Sequence, residues 1–133
     1  MAKVKPSREW KLGVLARHRE FLTRGLGRMK GRSRAVRDLR ELAGQNLADL
    51  DVWIAQLRGG SSARPSREEL SWRSDCLLGE ILDREDWLEG REILGGAWRM
   101  EGGRKPDRAG RAKVRREIEM LKRWRRGLRG REG

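Results

Sequence analysis

The sequence predicts an all-α fold, a small bundle of about four to five helices whose N- and C-terminal members are extended and basic. Two observations predict it. Strand-favouring residues are scarce, with no Tyr and a single Phe, while Leu, Arg, Glu and Ala dominate. No segment alternates apolar and polar residues long enough for a strand, whereas apolar residues recur at helical spacing along much of the chain. At 133 residues the length suits one domain, so 1–133 is expected to be a single helical domain with a basic stretch 1–40, an acidic centre 41–103 and a basic amphipathic helix 104–133.

The helix starts are marked by a recurring phrase: KPSREW at 5–10, RPSREEL at 64–70 and KPDRAG at 105–110. In each, Ser7, Ser66 or Asp107 can accept a hydrogen bond from an orphan N–H of the first turn, and Ser66 with Glu69 has the spacing of a capping box. Stops are expected at Gly31, at the pairs Gly59-Gly60, Gly95-Gly96 and Gly102-Gly103, and at Gly127 or Gly130. The resulting map is helix 7–29, helix 34–43, helix 47–58, loop 59–65, helix 67–89, a short helix or turn near 91–100, and helix 107–128.

The first helix carries Trp10, Val14, Leu15, Phe21, Leu22 and Leu26 on a broad apolar arc, and Arg17, Arg24 and Arg28 in a row at spacings of seven and four. His18 lies within the apolar arc and is expected to be packed there. A basic corner follows, with Lys30, Arg32, Arg34 and Arg37 around Gly31. Residues 36–57 could be two short helices joined by a turn at Gly44-Gln45-Asn46, the outline of a helix-turn-helix. Asp49 and Asp51 early in its second helix would repel phosphates, so a plain pair of packed helices is the simpler account.

In 67–89, Leu70, Leu77, Ile81 and Leu88 form one stripe, and Trp72, Cys76 and Trp87 lie roughly opposite. Such a two-faced helix is either sandwiched in its own bundle or meets another subunit, and Trp72, Cys76 and Trp87 are the candidate subunit contact. In the last helix, Val114, Ile118, Leu121, Trp124 and Leu128 make a core face, with Arg115, Arg116, Lys122, Arg123, Arg126 and Arg129 on the other side. The six Trp are expected to pack in cores, with Trp98 in GGAWRMEGG the candidate exception that stacks on bases.

Lys and Arg number 33 against 20 Asp and Glu, a net charge of +13. The charge sits at the ends: +10 over 1–40 and +9 over 104–133, against −2 over 41–60 and −4 over 61–103. Positive charge this concentrated repels itself unless an anion compensates it, which points to a polyanion partner. Thirteen phosphates correspond to roughly 6 to 7 base pairs of duplex, a footprint suited to coating. The apolar faces are needed for a core, which argues against a membrane surface.

One Cys excludes an internal disulfide and a Cys-based zinc site. No nucleotide-binding or metal-binding motif is present, and the carboxylates Glu80, Asp83, Glu85 and Asp86 read as an acidic helix face, so no enzyme activity, cofactor, metal or small-molecule substrate is expected. Small size, dense positive charge, helical pattern and a possible second apolar face together resemble the α-helical major coat proteins of filamentous archaeal double-stranded DNA viruses. The resemblance covers the whole chain in length and character, and no functional residue is carried over from it. It implies a paired subunit, alone or with a paralogue, that wraps double-stranded DNA in a virion through backbone contacts. The other class considered is a cytoplasmic or nucleoid-associated factor: a helix-turn-helix regulator or a basic protein on RNA or ribosomes.

Overall fold

The computed structural model describes residues 5–59, 64–91, 98 and 107–129. The fold is all-helical, with four helices and no strand among the described residues: α1 (Arg8–Arg28), α2 (Arg34–Leu57), α3 (Arg67–Leu88) and α4 (Arg108–Arg129). The short element expected near 91–100 lies outside the described residues apart from Arg91 and Trp98. The single domain expected over 1–133 divides into two compact units, Ser7–Arg64 and Pro65–Gly133 with the first six residues. Each unit is a helical hairpin, α1 on α2 and α3 on α4.

Capping explains where the helices start. Ser7 Oγ accepts from Trp10 N at 3.1 Å, Ser66 Oγ from Glu69 N at 3.1 Å, and Asp107 Oδ1 from Gly110 N at 2.6 Å. Ser33 does the same for α2, accepting from Val36 N at 3.2 Å. α2 and α3 end at residues whose backbone turns left-handed, Gly59 (φ +81°) and Gly90 (φ +73°), where a side chain would be strained.

α2 differs from expectation. It runs unbroken from Arg34 to Leu57, so no turn exists at Gly44-Gln45-Asn46 and the helix-turn-helix outline is absent. A glycine inside a helix costs about 1 kcal/mol relative to alanine. That cost is offset because the apolar stripe continues across it, with Ala43, Leu50, Trp53 and Ile54 buried on one side. They pack with Val14 and Leu15 of α1 as the core of the first unit. On the surface, Arg19 Nε donates to Asp51 Oδ1 at 2.7 Å and ties α1 to α2, while the Arg40 guanidinium donates to Met29 O and closes the link between them.

The second unit has the larger core: Leu70, Leu77, Ile81 and Trp87 of α3, Trp98, and Val114, Ile118, Leu121, Trp124 and Leu128 of α4. Inside it lies a group of charges that the hydrophobic pattern does not announce. Arg84 is fully buried; its Nη1 donates to Glu80 Oε2 at 2.7 Å and Glu80 O at 3.0 Å, and its Nε donates to Glu117 Oε1 at 3.2 Å. The same guanidinium lies 4.9 Å from the centre of the Trp98 ring, which meets Trp87 edge-on at 6.1 Å. A guanidinium stripped of water is tolerated only where carboxylates and carbonyls replace its hydration, and here they come from both helices.

Two outcomes follow for stability. Leu121→Ala, at a site with no solvent exposure, is expected to cost about 2–5 kcal/mol in urea unfolding. Replacing Glu80 and Glu117 by Leu strands the charge of Arg84 and should cost about 3–5 kcal/mol, whereas adding Arg84→Met to that pair should recover most of the loss. A triple variant no more stable than the double would show that the ion cluster is not what couples the two carboxylates to the fold.

Candidate nucleic-acid interface

α4 divides cleanly along its length. Val114, Glu117, Ile118, Leu121, Trp124 and Leu128 are buried, so that half of the helix is committed to α3. At about 100° per residue, Arg108, Arg111, Arg115, Lys122 and Arg126 fall together on the opposite half, and all five are exposed. Arg116 is exposed further round, Lys113 is exposed at the other edge of the buried arc, and Glu119 is the one exposed carboxylate within α4. At about 1.5 Å per residue the row from Arg108 to Arg126 spans roughly 27 Å.

Of the α4 cations expected from the sequence, Arg115, Arg116, Lys122 and Arg126 stand on this outer surface, and Arg123 is half-buried. Arg129 is the last helical residue. Arg125 is half-buried and turned toward α3, where its Nε donates to Ser74 O at 3.2 Å. Sequence reasoning missed Arg108 and Arg111, although they continue the row from Arg115 at spacings of seven and four. They also sit in the first turn of α4, which contains no acidic residue, so their charge adds to the positive end of the helix dipole.

The first unit carries its own cations. Arg17, Arg24 and Arg28 are exposed on α1 as expected, with Arg24 bonded to Glu20 one turn back, so the row is partly neutralised. Lys30, Arg32, Arg34 and Arg37 are all exposed around the link and the start of α2, whose first turn likewise contains no acidic residue. The corner and the α4 face belong to different compact units.

Two expectations, those for Trp87 and Trp98, are corrected by burial. Trp87 is 7% exposed and belongs to the core of its own unit; it is not a face held out for another subunit. Trp72 and Cys76 are half-buried on the same helix, whose buried arc is wide because the Arg84 cluster lies within it. Trp98, the candidate for stacking on bases, is 3% exposed and held between Arg84 and Trp87. His18 is half-buried, in line with its place on the apolar arc. Among the described residues no three of His, Cys, Asp and Glu are grouped to hold a metal ion, and Glu80 is occupied by Arg84. No helix among them is long and apolar enough to cross a membrane.

Comparison with known proteins gives no relative: no family model, no curated protein and no solved structure matches the chain.

Burial pushes the Cys76 thiol up to about 12, helped by the charges of Asp75 and Glu80. Its alkylation by iodoacetamide at pH 8 is therefore expected to be about a thousandfold slower than that of an exposed thiol, rising to the exposed rate in denaturant. The sign for stability follows, since an unfolded thiol releases its proton near its ordinary value while the folded one keeps it: Cys76 destabilises the fold progressively above about pH 9. Cys76→Ser should flatten that alkaline decline in pH-dependent unfolding curves.

Proposed function

We propose that the protein is a structural, sequence-nonspecific nucleic-acid-binding subunit that coats double-stranded DNA, gripping the phosphate backbone with the outer face of α4. The observation that carries this reading is the division of α4. Its apolar half is used up in packing on α3, and that packing holds five exposed cations in a straight row with one carboxylate among them. Cations on a docked helix lose little further freedom when they meet a backbone, so the ordering cost that weakens a free basic tail is already met by folding.

A row of roughly 27 Å faces about 8 base pairs, and phosphate contacts of this kind carry no sequence information. The corner Lys30, Arg32, Arg34 and Arg37, with Arg17 and Arg28, offers the duplex a second place to bind. In this reading the chain works in a virion or a nucleoprotein filament, together with further copies or a paralogue, and needs no cofactor. A helix-turn-helix regulator has no support from α2, which is a single helix.

Titration of duplex DNA is expected to show log K falling steeply with log salt, nearly the same for unrelated sequences. Replacing Arg108, Arg111 and Arg115 together by Gln should lower the slope by about 3, at about 0.9 per phosphate contact, while leaving helix content unchanged. A strong preferred site, or a slope untouched by the triple replacement, would falsify the reading.

A further inference from the structure

Along one side of the second unit runs a groove between its helices. Leu78, Ile81, Leu82 and Glu85 form the α3 wall, and Lys122 and Arg126 line the α4 wall. Leu82 is a large apolar side chain left 48% exposed. Helical spacing sets Asp75 and Asp86 on the side of Leu82 away from α4, Asp75 exposed and Asp86 half-buried, and stacks the exposed Glu89 two turns beyond Leu82, nearly in line with it. Arg91 is the cation beside them, 2.8 Å from Glu89 and 3.8 Å from Asp86. Across the unit the surface therefore passes from Asp75 and Asp86 on α3, through Leu82 and Leu78, to Lys122 and Arg126 on α4, with Glu85 a carboxylate within the groove wall itself.

Such a strip is its own complement. Turned by half a rotation about an axis through Leu82, it lays acid on base and base on acid, and Leu82 on Leu82. We infer that this face joins two copies of the chain in a two-fold pair, with Asp86 and Glu89 of each copy facing Lys122 and Arg126 of the other. A second copy fits better than an acidic peptide or a lipid surface. Either of those would satisfy the basic flank while setting its own negative charge against the acidic one, whereas a second copy answers both. The inference does not depend on the nucleic-acid reading, since pairing is expected of the protein alone; in the pair Lys122 and Arg126 answer the other copy's carboxylates, which leaves Arg108, Arg111 and Arg115 of the row to phosphate.

The test is sedimentation equilibrium of the full chain without nucleic acid, at ionic strength near 0.15 M, where a screening length of about 8 Å limits the repulsion between chains of net charge +13. The wild type is expected to form a closed dimer. Asp86→Arg with Glu89→Arg, and separately Lys122→Glu with Arg126→Glu, should each give monomers, because each puts like charges across both halves of the contact. An equimolar mixture of the two variants should recover dimers, since every opposed pair is then of opposite sign, a rescue that no contact within one chain can produce. Leu82→Asp should weaken pairing at least about a hundredfold, because a residue on the axis loses its burial in both copies. A monomeric wild type, open-ended polymers, an unchanged constant for Leu82→Asp, or a mixture that stays monomeric would each overturn the inference. Circular dichroism of each variant, expected to match the wild type, separates lost pairing from lost folding.

Discussion

The buried guanidinium of Arg84 is the constraint on which the second unit depends. It donates hydrogen bonds to Glu80 of its own helix, at 2.7 Å, and to Glu117 of the facing helix, at 3.2 Å. A hydrophobic stripe alone lets one helix roll or slide against another by a fraction of a turn at small cost, because apolar contact is not directional. The fork of an arginine is directional. Fixing Glu117 against Arg84 fixes the rotation of α4, and the rotation of α4 decides which of its residues face water. The row itself follows from sequence spacing, and its outward orientation is a consequence of an ion cluster in the core.

That cluster is not made without cost. One guanidinium nitrogen, Nη2 of Arg84, is buried with no hydrogen-bond partner among the described residues, and a purely apolar core of the same shape would often be at least as stable. What the charges supply is geometric definition in a unit whose remaining core residues are mostly Leu, Ile, Val and Trp. The face of Trp98 covers part of the guanidinium and keeps it dry, and Trp87 in turn holds Trp98 from the edge. Tryptophans that composition would allow to be base-stacking groups are used here to line an ion.

Much of this was legible in the sequence. Ser7, Ser66 and Asp107 announced three helix starts through their capping chemistry, and the bounds of α1, α3 and α4 follow those signals within about one residue. Burial of Val114, Ile118, Leu121, Trp124 and Leu128 follows from their spacing alone. Two things were not legible. Gly44 looked like a stop, but a helix ends only where the chain gains more by leaving it, and the stripe through Ala43 and Leu50 held α2 together. Glu80 reads as part of an acidic helix face, and Arg84 draws no reading, because charged side chains are usually solvated. The signal is present: both fall at helical spacing on the arc between Leu77 and Trp87, two residues that are themselves buried. The cationic face is also longer than expected: Arg108 and Arg111 lie inside the expected helix 107–128, yet the expected face begins only at Arg115.

Each hairpin is a continuous stretch of chain, with α1 meeting the α2 that follows it and α3 the α4 that follows it. Contacts between neighbours in sequence close small loops and form fast. During synthesis the first hairpin can therefore complete its pairing while α4, with its arginines, is still to be made, because chains fold domain by domain from the N-terminal end. Its apolar residues are sheltered before the second half emerges. For a chain this rich in arginine that order matters, since a half-made chain that stayed open would offer both loose cations and bare apolar side chains to every polyanion nearby.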